Sequence, residues 1–214
     1  MEKNEMESPL VGKDLVLAGY MALPGTILLK ECEKEFLLQR LPESVLTGIQ
    51  ECHVRQTKVW MELYGNLEKG LLERAKEDPV YAGTGLAAWY PVGPGGILDN
   101  LWYMAKKWQT GFLAYLKDIP VRQETIEICE ILNINPYHLW SDGAILLAAD
   151  HGARLCEVLR AQGWEEARVI GALAEGNNRQ VSNGETIRFL SRPGEDEAMR
   201  YLREQREGRL PETE

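Results

Sequence analysis

The sequence VGPGG, at positions 92–96, holds the residues best suited to chemistry in this chain. The segment before it, LAAWYPV, is typical of a buried strand, and the segment after it is typical of a helix. With Gly93 as the helix cap, the next backbone N–H groups would point outward and attract an anion. The candidate anion- or ligand-binding residues of this turn are Gly93, Gly95, Gly96 and Ile97.

The same glycines also allow an interpretation that involves no ligand. Glycine lets a strand turn sharply and lets a helix pack close to a sheet. Pro94 fits the first helical position but has no N–H to offer, and no Lys, Arg, Ser or Thr lies beside the turn to add specificity. Both interpretations stay open at this stage, and these two observations favour packing.

Aromatic residues flank the glycine turn on both sides. Trp89 and Tyr90 lie on the predicted strand, and Trp102 and Tyr103 lie on the predicted helix. A pocket at the turn would therefore be walled or closed by rings. Trp89 and Tyr90 accordingly join the candidate ligand-binding residues.

Other chemical patterns in the sequence have simpler explanations. GTGLAA, at positions 83–88, matches the dinucleotide-binding pattern GxGxxA, but a polar helix precedes it and Trp-Tyr-Pro follows it. The three histidines are scattered without ligand spacing, so we expect no metal site. The glutamates at helical spacing are expected to form a solvated face. They are Glu124, Glu127 and Glu130.

Composition narrows the class of partner. The 214 residues carry a net charge of −9, which would repel a phosphate backbone, so we expect no nucleic-acid partner. The hydrophobic fraction of 44% and the charged fraction of 27% are those of ordinary folded globular proteins. The uncharged stretch 15–29 is shorter than a membrane-spanning helix and is interrupted by glycine and proline. The acidic residues at the start of the sequence are unlike a secretory signal peptide. We therefore expect a cytoplasmic protein that spans no membrane. The four widely spaced cysteines predict reduced core thiols.

Hydrophobic periodicity and turn residues predict alternating strands and helices. We expect Asp150 to cap one helix, Asn183-Gly184 to form a two-residue hairpin turn, and an exposed helix over 196–206. The predicted strands cover 14–18, 86–92, 112–116, 144–149 and 167–173, and the predicted helical regions are 26–76, 97–109, the segment after Pro120 and the segment after Asp150.

Three segments in this order resemble a known superfamily: GYMALPGTILL, AWYPVGPGGILDNLWYMA and DIPVRQETIEICEILNINPYHLWSDGAILLAA. They are similar to the C-terminal domain of the aminoimidazole ribonucleotide (AIR) synthase-related superfamily, and most similar to its hydrogenase maturation (carbamoyl dehydratase) branch. The resemblance implies an α/β (α+β) fold, with a mixed sheet between two helical layers in an α/β/α arrangement. It predicts an N-terminal extension at 1–11, a domain at 12–190 and a charged helix or tail at 191–214.

The sequence departs from this superfamily where its chemistry would lie. The superfamily pattern Asp-x-Thr-x-Gly-Gly, aligned on Gly95 and Gly96, puts Pro91 at the aspartate and Gly93 at the threonine. The superfamily's ATP and magnesium domain is not expected within this chain. The maturation branch also ends in a reacting cysteine, whereas this sequence ends in RLPETE.

From these departures we expect a non-catalytic accessory or ligand- and partner-binding module, without cofactor and not an enzyme by itself. The alternative is half of an ATP-dependent enzyme, in which a separate ATP-binding protein supplies ATP and magnesium. The expected partner is another copy of the chain or that ATP-binding protein.

Overall fold

A computed structural model describes residues 9–67 and 79–208 of the chain. Seven strands form one mixed sheet in the order β2-β4-β1-β5-β3-β6-β7. Strands β3 and β6 pair in parallel, and the other neighbouring strands are antiparallel. The strands are β1 (Asp14–Ala18), β2 (Leu86–Pro91), β3 (Gly111–Tyr115), β4 (Ile145–Ala149), β5 (Ala167–Ala174), β6 (Arg179–Ser182) and β7 (Ile187–Phe189).

Seven α-helices lie in the described ranges. They are α1 (Leu23–Cys32), α2 (Lys34–Leu38), α3 (Glu43–Leu67), α4 (Gly96–Trp108), α5 (Gln123–Ile131), α6 (Gly152–Ala161) and α7 (Glu197–Arg206). The predicted helical region 26–76 is confirmed as far as Leu67, and its last part, from position 68, lies outside the described residues.

The sheet lies between two helical layers because successive side chains of a strand point to opposite faces. On β1, Leu15 and Leu17 join a core with α1, α4 and α5, whereas Val16 and Ala18 join a second core with α6. All five residues of β4 are buried, as the continuous apolar sequence predicted. The three-layer α/β/α fold with a mixed sheet is thus confirmed.

The predicted cap of helix α6 is wrong. Asp150 is paired with Lys13, and the first N–H of the helix, that of Gly152, is bonded instead by the Asp14 carboxylate of β1 at 2.8 Å. The side chain of Asp14 is brought to the helix start by the β1–β4 pairing, which places Asp14 opposite Ala149. A tertiary neighbour therefore replaces the local cap.

The β6–β7 hairpin forms, but not with the predicted two-residue turn. Its strands end at Ser182 and resume at Ile187. Gly184 has a φ of +100°, whereas Asn183 has no positive φ and uses its side-chain oxygen to accept from the Thr186 N–H at 2.9 Å. The Asn183 side chain thus stabilises the loop by a hydrogen bond, and its backbone does not adopt the positive φ that the predicted two-residue turn needs.

Two further predictions about exposure are corrected. Three cysteines are buried, but the thiol of Cys32, at the end of α1, belongs to an exposed residue. Helix α7 is not exposed on all sides, because Ala198 and Tyr201 lie in the core beneath it. No helix in the described part of the chain is both long and apolar enough to cross a membrane.

Candidate functional site

The glycine turn joins β2 to α4, as predicted, but the helix starts two residues later than the predicted cap implies. Gly95 is the cap residue, with a φ of +79°, and Gly96 is the first helical residue, with a φ of +65°. Pro94 therefore precedes the cap rather than occupying the first helical position. Positive φ angles at both positions favour glycine.

Close contact with the backbone gives a second reason for the glycine at 96. A Cβ there would meet the carbonyl oxygen of Tyr137 and lie 2.8 Å from the Cα of His138. A Cβ on Gly95 would lie 2.6 Å from the carboxylate Oδ2 of Asp99. The turn is thus packed tightly on the loop that leads into β4, which agrees with the packing interpretation of these glycines.

The side chain of Asn100 forms hydrogen bonds with the carbonyl groups of the turn. Its buried side-chain amide donates to the carbonyl oxygens of Gly93 at 3.3 Å, Pro94 at 3.0 Å and Gly96 at 2.7 Å. The Ser141 N–H also donates to the Gly93 carbonyl, at 3.2 Å. The shape of the turn is therefore fixed by the Asn100 side chain, which the sequence-based prediction did not single out, and by the backbone of Ser141.

The outward N–H of the turn already has an anionic partner from the same chain. The Gly95 N–H donates to Oδ2 of Asp196 at 2.7 Å, and the other oxygen of this carboxylate accepts from the Ala198 N–H at 2.9 Å. One carboxylate thereby caps the starts of both α4 and α7. Burial raises the pKa of Asp196 above its ordinary value, although hydrogen bonds from the backbone N–H groups of Gly95, Ala198 and Met199 act in the opposite direction.

A second pair of groups links the turn to the same C-terminal segment. The buried carboxylate of Asp99, in the first turn of α4, lies 3.1 Å from Nδ1 of His138. It also accepts from the Gly194 N–H at 3.1 Å. The His138 side chain is 35% exposed, so this Asp–His pair reaches the surface beside the turn only through its imidazole.

The predicted site residues are only partly brought together. Gly93, Gly95 and Gly96 share the turn, but the side chain of Ile97 lies entirely in the core. Trp89 and Tyr90 pack on opposite faces of the sheet, because they are neighbours on β2. They therefore do not line one pocket together.

The structure also contains an open groove of about 660 Å³ around Tyr20. Two arginines line this groove, but Arg122 is held by Glu124 and Arg168 by Glu166, each through two hydrogen bonds. Because neighbouring carboxylates neutralise both guanidinium groups, the groove is not an evident anion site. No group of three His, Cys, Asp or Glu residues able to hold a metal occurs in ranges 9–67 and 79–208.

Sequence reasoning missed Asp99, Asn100, His138 and Asp196. Only Asp196 carried a signal, since an aspartate just before a helical segment is a typical N-cap. The other three acquire their roles through contacts with the turn that no local pattern indicates.

Comparison with known proteins gives a consistent picture. No protein-family profile matches the chain. A putative hydrogenase expression/formation protein of Methanocaldococcus jannaschii is 29% identical over 108 residues, which is 49% of this chain and 28% of the relative. The chain thus matches well under two thirds of that relative.

Solved structures show the same fold at low identity. Escherichia coli HypE, a hydrogenase maturation protein, has a TM-score of 0.60 at 18% identity, over 87% of this chain and 51% of HypE. A HypE–HypF complex gives 0.58 at 15% identity, over 86% and 53%. Thiamine-monophosphate kinase from Stenotrophomonas maltophilia gives 0.51 at 13% identity, over 82% and 52%. The resemblance predicted from sequence is confirmed: this chain, which matches about half the length of these proteins, has the AIR synthase-related fold of HypE and thiamine-monophosphate kinase.

Proposed function

We propose that this domain is a non-catalytic accessory module that binds a partner protein or a small anionic ligand near Gly93–Ile97. The observation that carries the non-catalytic part of the proposal is the bond from the Gly95 N–H to the Asp196 carboxylate at 2.7 Å. An anion from the same chain thus already bonds one N–H at the helix start, where a phosphate would be bound. Pro91 and Gly93 also stand where the superfamily has an aspartate and a threonine.

The isolated module is proposed to need no cofactor and to catalyse no reaction. An external anion at the turn would have to displace Asp196, so the site favours a ligand that is strongly anionic or is presented by a bound partner. We assign the module to the cytoplasm, where an exposed thiol such as that of Cys32 stays reduced.

The first test is ATP turnover by the purified chain. We expect phosphate release no greater than in buffer with ATP and magnesium. Turnover that follows the protein through a second chromatography step would contradict a non-catalytic role.

Ligand binding at the turn is tested by thermal shift with phosphate and with ATP, because a ligand that binds only the folded state raises its melting temperature. Asp196→Ser removes the carboxylate but keeps a side chain able to cap α7. We expect phosphate to stabilise Asp196→Ser more than the unaltered chain. Glu195→Gln, which removes a neighbouring exposed charge, is the control and should leave the phosphate shift unchanged.

A second candidate function is supported by the length of the match. The chain spans about half of each HypE structure, 51% to 53%, while 86% to 87% of its own length is matched. This domain would then be one half of an ATP-dependent enzyme, and a separate ATP-binding protein would supply ATP and magnesium. Purification of the tagged chain from its native cells, followed by mass measurement of the complex, distinguishes the candidates: a stoichiometric ATP-binding partner favours the half-enzyme.

A further inference from the structure

Strand β7 forms one open edge of the sheet and leaves large apolar side chains in solvent. Among residues 9–67 and 79–208, it lies last in the strand order and pairs with β6 alone. All three of its residues are exposed, Ile187 to 57% and Phe189 to 65%. An exposed edge strand offers unpaired backbone groups to another strand.

The ladder between β6 and β7 shows which backbone groups are available. The Leu190 N–H donates to the Arg179 carbonyl at 2.8 Å, so Leu190 faces β6. Arg188, two residues earlier, faces β6 as well, because hydrogen-bonding direction alternates along an antiparallel strand. The N–H and C=O groups of Ile187 and Phe189 therefore point away from β6, towards the open edge.

The two faces of this edge differ in chemistry. Ile187 and Phe189 stand opposite Ser182 and Gln180 of β6, on one face of the sheet. Tyr115, which is 38% exposed and opposite Ser182, extends the same face onto β3. Arg188 is opposite Val181 and so lies on the other face.

Cations gather on the face that carries Arg188. Arg179, two residues before Val181, places its guanidinium carbon 4.3 Å from the centre of the Trp102 ring, and Lys106 Nζ lies 5.9 Å from the same centre. In the described part of the chain, no ion pair involves these two residues or Arg188, and the buried Nε of Arg179 has no hydrogen-bond partner there. Three cations on one face that form no ion pair with a described residue are notable in a chain of net charge −9.

We propose that the β7 edge binds an extended, acidic segment of a partner protein by strand addition. The backbone of the segment would pair with Ile187 and Phe189, and its side chains would alternate between the two faces. Apolar side chains would then cover Ile187 and Phe189, and acidic ones would meet Arg188 and the cations around Trp102. A second copy of the chain fits less well, because antiparallel pairing of two β7 strands about their centres sets Arg188 against Arg188.

This inference goes beyond the proposed function, because strand addition at β7 uses no residue of the glycine turn at 93–97. The two proposals can therefore fail separately. ATP turnover would contradict the non-catalytic role without bearing on strand addition at β7. A failure of peptide binding would contradict strand addition at β7 alone.

The test uses fluorescein-labelled peptides and the full chain, with binding followed by fluorescence anisotropy. The probe is Thr-Val-Glu-Val-Glu-Val-Thr, which alternates apolar and acidic residues. One control replaces both glutamates by lysine, and another carries N-methyl groups on alternate backbone nitrogens. We expect the glutamate peptide to bind at least about tenfold more tightly than either control and to weaken as salt rises. Equal binding of the glutamate and lysine peptides would overturn the proposal.

Two variants separate the backbone contribution from the side-chain contribution. Phe189→Pro removes an N–H that points to the open edge and leaves the hydrogen bonds to β6 in place. An edge strand tolerates proline at such a position. Phe189→Ala removes the same ring but keeps the N–H. We expect Phe189→Pro to bind the glutamate peptide at least about tenfold more weakly than Phe189→Ala, and equal affinities would refute strand addition.

Charge reversal and oligomeric state complete the test. Arg188→Glu should reduce the preference for the glutamate peptide over the lysine peptide, because it replaces one of the cations on that face by an anion. Size-exclusion chromatography with light scattering should show a monomer. A dimer that Phe189→Pro dissociates would assign the edge to a second copy and overturn the proposal.

Discussion

The Asp196 carboxylate accepts a hydrogen bond from the Gly95 N–H across 101 positions of sequence, at a distance of 2.7 Å. The same carboxylate caps helix α7 through the Ala198 N–H. The last described helix is thus fastened to the start of α4 by one ionisable side chain. Because this carboxylate can be protonated, we expect the stability of the protein to depend on pH.

Asp196 is expected to contribute a pH dependence of unusual sign for an aspartate. Burial raises its pKa, so the folded state binds the proton more tightly than the unfolded state does. The contribution of this group to the free energy of unfolding is therefore fully present below the unfolded pKa and falls as pH rises through the folded pKa. Relative to Asp196→Asn, which does not titrate, the unaltered chain should lose stability as pH rises above about 4.

Urea unfolding from pH 3.5 to pH 7 measures this effect. Glu195→Gln provides a matched control of opposite sign, because a hydrogen bond from Arg203 lowers the pKa of the exposed Glu195. A stability difference between the unaltered chain and Asp196→Asn that stays constant with pH would disprove the role given to burial.

Asn100→Asp should destabilise the turn strongly. The substitution keeps the shape of the side chain but directs a carboxylate oxygen at three carbonyl oxygens that now accept from an amide. We expect a loss of about 3 kcal/mol or more in the free energy of unfolding at pH 7. Asn177→Asp, at an exposed position, should change it by no more than about 0.5 kcal/mol. Similar losses for the two variants would show that Asn100 does not hold the turn.

Gly96→Ala tests the close approach of the turn to the β4 loop. Gly176 has nearly the same backbone angle, a φ of +69° against +65°, but a Cβ there would meet nothing within 4 Å. Gly176→Ala should therefore lower the free energy of unfolding only by the strain of placing alanine at a left-handed φ, about 1–2 kcal/mol. Gly96→Ala should cost at least about 2 kcal/mol more in urea unfolding, because its Cβ meets the backbone of His138. Equal costs would mean that only the φ angle requires glycine at position 96.

Asp14→Ala should weaken the start of helix α6, since the Asp14 carboxylate bonds the Gly152 N–H. We expect a loss of about 1 kcal/mol in thermal or urea unfolding, the usual cost of removing a cap. Asp14→Asn keeps the acceptor oxygen and should recover most of that loss. Asp150→Ala removes only a half-exposed ion pair with Lys13 and should cost no more than about 0.5 kcal/mol. A larger loss at Asp150 than at Asp14 would restore the cap predicted from sequence.

Elements with a strong local pattern were predictable from the sequence. The continuous apolar run at 144–149 gave β4, and the apolar face at spacings of three and four gave α4. The glycine turn between β2 and α4 was located correctly because glycine and proline mark such turns locally. The superfamily fold followed from three ordered segments rather than from any single element.

Contacts between distant positions were not predictable. Asp14 displaces Asp150 as the cap of α6 only because strand pairing brings β1 to that helix. Asp99 and His138 meet 3.1 Å apart, although 39 positions separate them in sequence. Helix and strand propensities and hydrophobic periodicity describe residues that are close in sequence. They do not show which carboxylate will form a hydrogen bond with a distant part of the chain.

The position of β1 in the sheet has a consequence for how the protein folds. Strand β1 is among the first residues described, yet both of its neighbours, β4 and β5, come from the last third of the chain. The centre of the sheet therefore closes only after strand β5 has been synthesised. Pairings between such distant segments slow folding, because the intervening chain must lose its freedom before the contacts form. Until β4 and β5 have been made, β1 has neither of its sheet partners.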